Sequence, residues 1–265
     1  EELAVIMART NQGKSWLLLK TAIAAAEQGL TVGIYSGEMS ETKVGYRVDT
    51  LMSHISNTKI IHGNGQIKDE YKKFLEDVKS SLPGKIIVTT PVMIGGTAGV
   101  GALRAFIEKY NLDILCIDQH SLLDDDRGAK NPVERASNIS KDLKNLQVMK
   151  KIPIISVVQQ NREKNEDGTP DTRNVSSSDR IGQDATCLIS FEQKEQKDSK
   201  DKLLTMYLTK SRDSVNGKTL KYIVNFDTGT LIFVPEETDA TNGAKCEQLK
   251  NEYEDNPTGY EAKPF

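Results

Sequence analysis

Ala8-Arg9-Thr10-Asn11-Gln12-Gly13-Lys14-Ser15 lies between an apolar run, Leu3-Ala4-Val5-Ile6-Met7, and Trp16-Leu17-Leu18-Leu19-Lys20-Thr21-Ala22-Ile23-Ala24-Ala25-Ala26, which is predicted to be helical. Strand, loop and helix in that order are the setting of a phosphate-binding loop. Backbone N–H groups at a helix N-terminus point at an anion, Gly13 permits close backbone approach, Lys14 brings charge, and the Ser15 hydroxyl can ligate Mg²⁺. Ala8 stands where the pattern has its first glycine. Residues 8 to 15, with Trp16 beside them, are the expected seat of ATP or another nucleoside triphosphate.

Working outward, Thr31 to Ser36 reads as the next buried strand, and Gly37-Glu38-Met39-Ser40 follows it. Ser40 suits the N-cap of a helix running to about Ser53, which leaves Glu38 at the carboxyl end of a strand, where open α/β sheets assemble their sites. A solvated carboxylate is the plain reading of an isolated glutamate. Beside a phosphate loop, a carboxylate can instead orient the water that attacks a nucleotide. Residues 57 to 70 read as polar loop and Ile67 to Leu82 as an amphipathic helix. A strand at Lys85 to Thr90 and a helix from Thr97 to Tyr110 follow, with Asn111 as its left-handed stop.

Asp113-Ile114-Leu115-Cys116-Ile117-Asp118 is an apolar strand ending in an acid, which fits a carboxylate that helps to hold Mg²⁺. Ser121 to Asn131, with Asp124, Asp125 and Asp126 in succession, reads as a mobile loop. Asn131-Pro132-Val133-Glu134 is a helix start, and Val133, Ala136, Ile139, Leu143, Leu146 and Met149 recur at helical spacing. Ile152 to Val158 is another buried strand, ending in Gln159-Gln160-Asn161-Arg162; the Gln159 amide is placed to meet a γ-phosphate or the attacking water. Residues 163 to 180 read as a long surface loop. Beyond them the alternation gives way to strands at Cys187 to Phe191, Leu203 to Thr209, Leu220 to Phe226 and Thr230 to Val234. Lys210 and Arg212 at a strand end lie on one side of an extended chain, and a phosphate-reaching pair and a solvated hairpin tip fit that spacing equally.

Composition narrows the classes. Apolar residues at 37% and charged residues at 28% are ordinary for a globular α/β chain of 265 residues. No run approaches the roughly 18 apolar residues of a membrane span, so no membrane partner and a cytoplasmic location are expected. Cys116, Cys187 and Cys246 are odd in number and unpaired in spacing, which supports neither a disulfide framework nor zinc. Residues 235 to 265 hold eight acidic residues against three lysines, a balance of −5 that leaves +2 on the rest of a chain whose net charge is −3. Residues 236 to 265 are therefore expected to be an acidic, flexible tail.

The order of these motifs resembles the C-terminal, RecA-type ATPase domain of the DnaB-like replicative helicases, phage members included, over roughly residues 1 to 235. The resemblance rests on the loop at Ala8 to Ser15, Tyr35-Ser36-Gly37-Glu38-Met39-Ser40, the strand to Asp118, Gln159-Gln160-Asn161-Arg162, Gln183-Asp184-Ala185 and Lys210-Ser211-Arg212. It implies a P-loop NTPase fold: α/β, a mostly parallel central sheet flanked by helices, and a C-terminal antiparallel hairpin region. It also implies Mg²⁺ on Ser15 and Asp118, Glu38 as catalytic carboxylate, and Gln159 as a link between the γ-phosphate and DNA loops. Lys210 and Arg212 would act on the neighbouring subunit's ATP, as sensor and arginine finger. The implied activity is an ATP-driven helicase that moves on single-stranded DNA as a ring, usually a homohexamer, with primase and a helicase loader as partners, in a bacterial or phage-infected cell. Val175 to Arg180 departs from the family's loop, so Arg127, Lys130, Arg173 and Arg180 are DNA-contact candidates by charge alone. The family's N-terminal domain and linker helix are absent from the sequence, as expected of a piece of a longer chain. A RecA/RadA or KaiC-like ATPase that does not unwind, and a nucleotide-binding module without turnover, are the alternative readings.

Overall fold

The computed structural model describes residues 2–63, 65–160, 179–196, 199–212 and 217–235. Asn161, Arg162, Arg173, the long loop up to Ser178, Asp213, Cys246 and the acidic tail lie outside the described residues.

Among the described residues, nine strands form one sheet: β1 (Leu3–Ala8), β2 (Thr31–Ser36), β3 (Lys85–Thr89), β4 (Ile114–Asp118), β5 (Ile154–Gln159), β6 (Cys187–Glu195), β7 (Lys202–Ser211), β8 (Thr219–Asn225) and β9 (Thr230–Val234). Their spatial order is β3-β2-β4-β5-β1-β6-β7-β8-β9. The first six are mutually parallel, and β6 to β9 run antiparallel, as the resemblance implies. Every residue of β4 is buried, as are all but the last of β5, because helices cover both faces of the parallel part.

On one face α1 (Lys14–Glu27) and α2 (Glu41–Ser53) press Leu18, Ala22, Ile23, Val44 and Leu51 against Val32, Ile34, Cys116 and Val157. On the other, α6 (Val100–Tyr110) and α7 (Pro132–Lys150) set Leu103, Phe106, Ile139 and Leu143 against Leu115, Ile117 and Ile154. Each such leucine or isoleucine contributes about 1.5–3 kcal/mol by leaving water. The caps agree with the sequence: Ser40 Oγ accepts from the Lys43 N–H at 3.4 Å, Asn131 Oδ1 from the Val133 N–H at 2.8 Å, and Asn111 adopts φ 50°.

Some segments differ from expectation. The polar stretch after α2 holds a further helix, α3 (Asn57–His62), capped by Ser56 and tied to Asp227, which is remote in sequence. The amphipathic helix is α4 (Lys68–Ser81), after a 3-10 turn at Gly65–Ile67. The stretch from Pro91 begins with a short helix, α5 (Pro91–Ile94), and α6 starts at Val100 because Gly99 pairs with Asp124 as an isolated bridge. Nor is Ser121 to Asn131 the open loop its composition suggests. Asp124 pairs with Arg135, Asp125 accepts from the Arg127 and Ala129 N–H groups and from Asn138, and Asp126 accepts from the Gly101 N–H. A last helix, α8 (Asp179–Asp184), leads into β6.

Candidate nucleotide site

β2, β4, β5 and β1 are neighbours, and each presents one group at its carboxyl edge. Glu38 follows β2, Asp118 ends β4, Gln159 ends β5 and the phosphate loop follows β1. Register keeps them in line: Ser36 pairs with Asp118 and Ala8 with Gln159, while the Gly37 N–H donates to the Asp118 carbonyl at 2.6 Å. The loop, Glu38 and Gln159 open onto a cleft of about 530 Å³ lined by Thr10, Asn11, Gly13, Lys14, Ser15, Trp16, Glu38, Met39, Arg47, Gln119, Leu122, Gln159 and Phe226, with Asp118 buried behind Ser15. That volume lies in the usual range for ligand clefts.

The loop is built for an anion. Gly13 caps α1 with φ 86°, a left-handed conformation that glycine adopts without strain. Ala8, by contrast, is an extended and fully buried strand residue whose carbonyl accepts from the Gln160 N–H at 3.0 Å, so this position demands no glycine. Lys14 is largely buried as a residue, and its ammonium, partly buried at the cleft, donates to the Arg9 carbonyl at 2.9 Å. Burial lowers its pKa, against the opposing pull of Asp118 and Glu38. The Gln12 side chain accepts from the Gln193 N–H at 2.5 Å, pinning the loop to β6. Gln159 donates to Thr10 Oγ1 at 3.2 Å and also lines a second cavity of about 220 Å³ on its far side, with His120, Arg135 and Ile181.

Asp118 is 2% exposed and its Oδ2 has no hydrogen-bond partner among the described residues. Burial raises its pKa; a hydrogen bond from Ser15 and the charges of Arg47 and Lys14 oppose this, and Glu38 adds to it. A buried carboxylate oxygen with a spare lone pair beside a serine hydroxyl suits Mg²⁺, a hard cation that takes few protein ligands and completes its shell with water and phosphate. No cluster of three or more His, Cys, Asp or Glu side chains that could hold a metal occurs among the described residues.

Sequence reasoning did not assign Met39, Arg47, Gln119, Leu122 or Phe226 to the cleft, and Arg47 and Phe226 add the most to its chemistry. Arg47, on α2, is partly buried between the fields of Asp118 and Glu38, and burial lowers its pKa against those two charges. Its guanidinium lies 5.1 Å from the centroid of the Trp16 ring. Phe226 stacks on the same indole, with centroids 5.5 Å apart and planes 12° apart, and it covers Gly13, where an added Cβ would come within 2.3 Å of the Phe226 ring. Arg47 lies on α2, nine residues beyond Glu38, and only the orientation of that helix brings it to the cleft. Phe226 follows β8, and only the antiparallel register brings it back to α1.

Lys210 and Arg212 do not line the cleft. The Arg212 N–H donates to the Thr186 carbonyl, and the Thr186 N–H to that of Leu3, the first residue of β1. The phosphate loop leaves the far end of that strand, roughly 17 Å away at about 3.3 Å per residue. Arg127 is paired with Asp142 and Arg180 with Asp184, while Lys130 is exposed; Arg173 lies outside the described residues.

The family described as the DnaB-like helicase C terminal domain matches residues 1–234. The chain belongs to that family. It is 27% identical over 195 residues to a probable plasmid replicative DNA helicase of Chlamydia psittaci, covering 72% of this chain and 42% of that protein. Against the replicative DNA helicase DnaB of Helicobacter pylori (strain ATCC 700392 / 26695) the identity is 26% over 194 residues, 71% of this chain and 39% of the relative. The chain thus spans about two fifths of the length of these relatives. Among solved structures, one described as an ATPase domain superposes with a TM-score of 0.76 at 19% identity, covering 88% of this chain and 85% of that one. A DnaB-like replicative helicase studied with its interactions with primase gives 0.74 at 20% identity, covering 87% and 57%. These two likenesses establish the fold. Among the described residues, no helix is long and apolar enough to cross a membrane.

Proposed function

We propose that residues 1 to 235 are the motor domain of a ring helicase, which hydrolyses ATP or another nucleoside triphosphate between subunits and moves along single-stranded DNA to separate a duplex. One observation carries the reading: the groups of a hydrolytic site stand in a row on four adjacent strands, while the cations that would complete it sit at the opposite sheet edge. A single copy cannot bring Arg212 to its own Lys14. A second copy stacked head to tail brings its Arg212 to the cleft of the first, and closure of that heterologous contact makes a ring, with a homohexamer as the expected form.

Within the site, Lys14 and the loop amides hold the phosphates, and Ser15 and Asp118 would hold Mg²⁺, which when bound neutralises charge on the phosphate oxygens. Glu38 orients the attacking water and accepts its proton. Gln159, between the two cavities, senses the terminal phosphate. Arg212 of the next copy stabilises charge on the transferring group, an effect of about 10³ to 10⁵ in rate in well-studied cases. Arg127, Lys130, Arg173 and Arg180 remain candidates for the DNA backbone. Family membership and a solved relative described with primase support primase as a partner and a cytoplasmic setting, and a helicase loader is a further expected partner. The test is ATP turnover by the full chain with and without single-stranded DNA, with Lys14→Ala as control, alongside particle images. DNA-stimulated turnover by closed rings is expected; no stimulation, or open filaments on DNA, would overturn the helicase reading.

A further inference from the structure

β6 outruns its parallel neighbour. Its pairing with β1 ends at Met7 and Ser190, and the strand continues to Glu195 alongside the phosphate loop, held on its other side by β7, where Gln193 sits opposite Leu204. A strand that loses its neighbour is left with main-chain groups to satisfy on that side. Gln12 meets one of them. Its Oε1 accepts from the Gln193 N–H at 2.5 Å, in the place a continuing β1 would have taken, and the Gln193 side-chain amide donates in return to the Gln12 carbonyl.

The second bond has a directional consequence. The Gln12–Gly13 peptide is trans, so its carbonyl and its N–H point in opposite directions across one plane. With the carbonyl held toward β6, the Gly13 N–H is turned away from β6, at a residue that lines the nucleotide cleft. Glycine accepts either orientation of the preceding peptide at little cost, so the loop sequence alone does not fix where this N–H points. Gln193 also backs the loop sterically, since a Cβ at Gly13 would lie 3.0 Å from Gln193 Nε2 and closer still to the Phe226 ring.

We propose that Gln193 is a positioning residue for triphosphate binding, whose reciprocal hydrogen bonds with Gln12 hold the Gly13 N–H toward the phosphates. The inference rests on the reading of Ala8 to Ser15 as the phosphate seat, and it adds to that seat a residue 181 positions further along the chain. A backbone N–H aimed at a phosphate is the means by which such loops bind anions, so the orientation of this one peptide bears on affinity directly. In this role Gln193 serves neither base nor sugar, and its signature is a loss common to any ligand that presents a triphosphate chain.

The experiment measures, on the full chain, calorimetric binding of Mg²⁺-ATP and of Mg²⁺-tripolyphosphate, a probe without base or sugar, together with kcat and KM for ATP. Gln193→Ala should weaken both ligands by about tenfold, the worth of one hydrogen bond, and raise KM by a similar factor with kcat within about twofold. Gln12→Ala should weaken both ligands as well, and the double variant should lose no more than the larger single loss, because the two bonds act as one clamp. A loss confined to ATP would overturn the proposal and place the Gln193 amide on the nucleobase. Unchanged binding of both ligands, with only a lower melting temperature, would overturn it in favour of a purely structural tie. Should Gln193→Ala fail to fold, Gln193→Met, close in size and without a donor, carries the same readouts. Lys14→Ala separates the proposal from the reading beneath it: loss of both ligands there, with none in Gln193→Ala, rejects the clamp alone, whereas retention of both in Lys14→Ala rejects the phosphate seat.

Discussion

The two halves of the sheet solve different problems. From β3 to β6 the strands are parallel, covered by helices on both faces, and end together in a row of polar groups. From β6 to β9 they are antiparallel, β7 is mostly half-buried, and the small cluster of Ile223, Ile232 and Val234 lies apart from the main core. The first half concentrates its chemistry at one edge because parallel crossovers return every carboxyl end to the same side. The second half reverses direction at each turn and so sends Lys210 and Arg212 to the opposite edge. Under the proposed function, a half-site and its complement thus come from one chain without meeting in it.

Subunit mixing is the most forceful way to break this comparison. Glu38→Gln should lower turnover by about 10² to 10⁴ and Arg212→Ala by about 10³ to 10⁵. Rings assembled from both variants should regain turnover well above either alone, since some interfaces join an intact Glu38 to an intact Arg212. An ATPase assay on mixtures that never exceeds the two parents would show that both residues serve the same copy's site.

Core substitutions sharpen the contrast at the level of stability. Leu115→Ala, in a fully buried parallel strand, should cost about 2–5 kcal/mol in urea unfolding, whereas Leu203→Ala, half-buried beside the satellite cluster, should cost less than half as much. Equal costs would mean that the antiparallel half is as tightly packed as the parallel one.

Asp227 fastens the tip between β8 and β9 to α3, accepting from Ser56 Oγ at 2.8 Å, Thr58 Oγ1 at 2.7 Å and the Thr58 N–H at 3.0 Å. Asp227→Asn should cost about 1 kcal/mol. Burial pushes this carboxyl up, but the hydrogen bonds from Thr58 and Ser56, helped by Lys200, bring it below its ordinary value of 3.8. A depressed acid stabilises the fold above the unfolded pKa, so this contribution should hold at neutral pH and fade as pH falls below about 3.8. Melting temperatures of the wild type and Asp227→Asn should therefore converge in acid. The smallest effect is expected of Ala8→Gly: about 0.5–1 kcal/mol of destabilisation from a glycine inside a strand, with rings intact and nucleotide affinity altered modestly. Loss of rings in that variant would show that Ala8 does more than end β1.

Much of the parallel half was legible because its buried strands are continuous apolar runs, and β1, β4 and β5 stop at candidate site residues or lead into them. Leu3 to Met7 leads to the phosphate loop and Ile114 to Ile117 to Asp118, with no distant partner needed to recognise them. What escaped depends on remote partners. α3 is short and polar, and its Ser56 and Thr58 are tied to an aspartate beyond β8; Asp124 to Asp126 look like solvated acids until Arg135, Asn138 and Gly101 are brought to them. Arg47 and Phe226 belong to the cleft only through the orientation of α2 and the register of β7 and β8. The spacing of Lys210 and Arg212 placed them at a strand end, but that the Lys210 ammonium donates to the Gly182 and Gln183 carbonyls depends on α8, which the spacing does not reveal.

Trp16 is the single tryptophan of the chain, and its indole lines the cleft in contact with both the Arg47 guanidinium and the Phe226 ring. The protein therefore carries a built-in optical reporter whose emission comes from one place, where the phosphate loop, α2 and the turn after β8 touch. A nucleotide entering beside Gly13, or the β8–β9 tip lifting from α3, changes what surrounds that indole, so occupancy of the parallel half and docking of the antiparallel half can be followed in solution without a label.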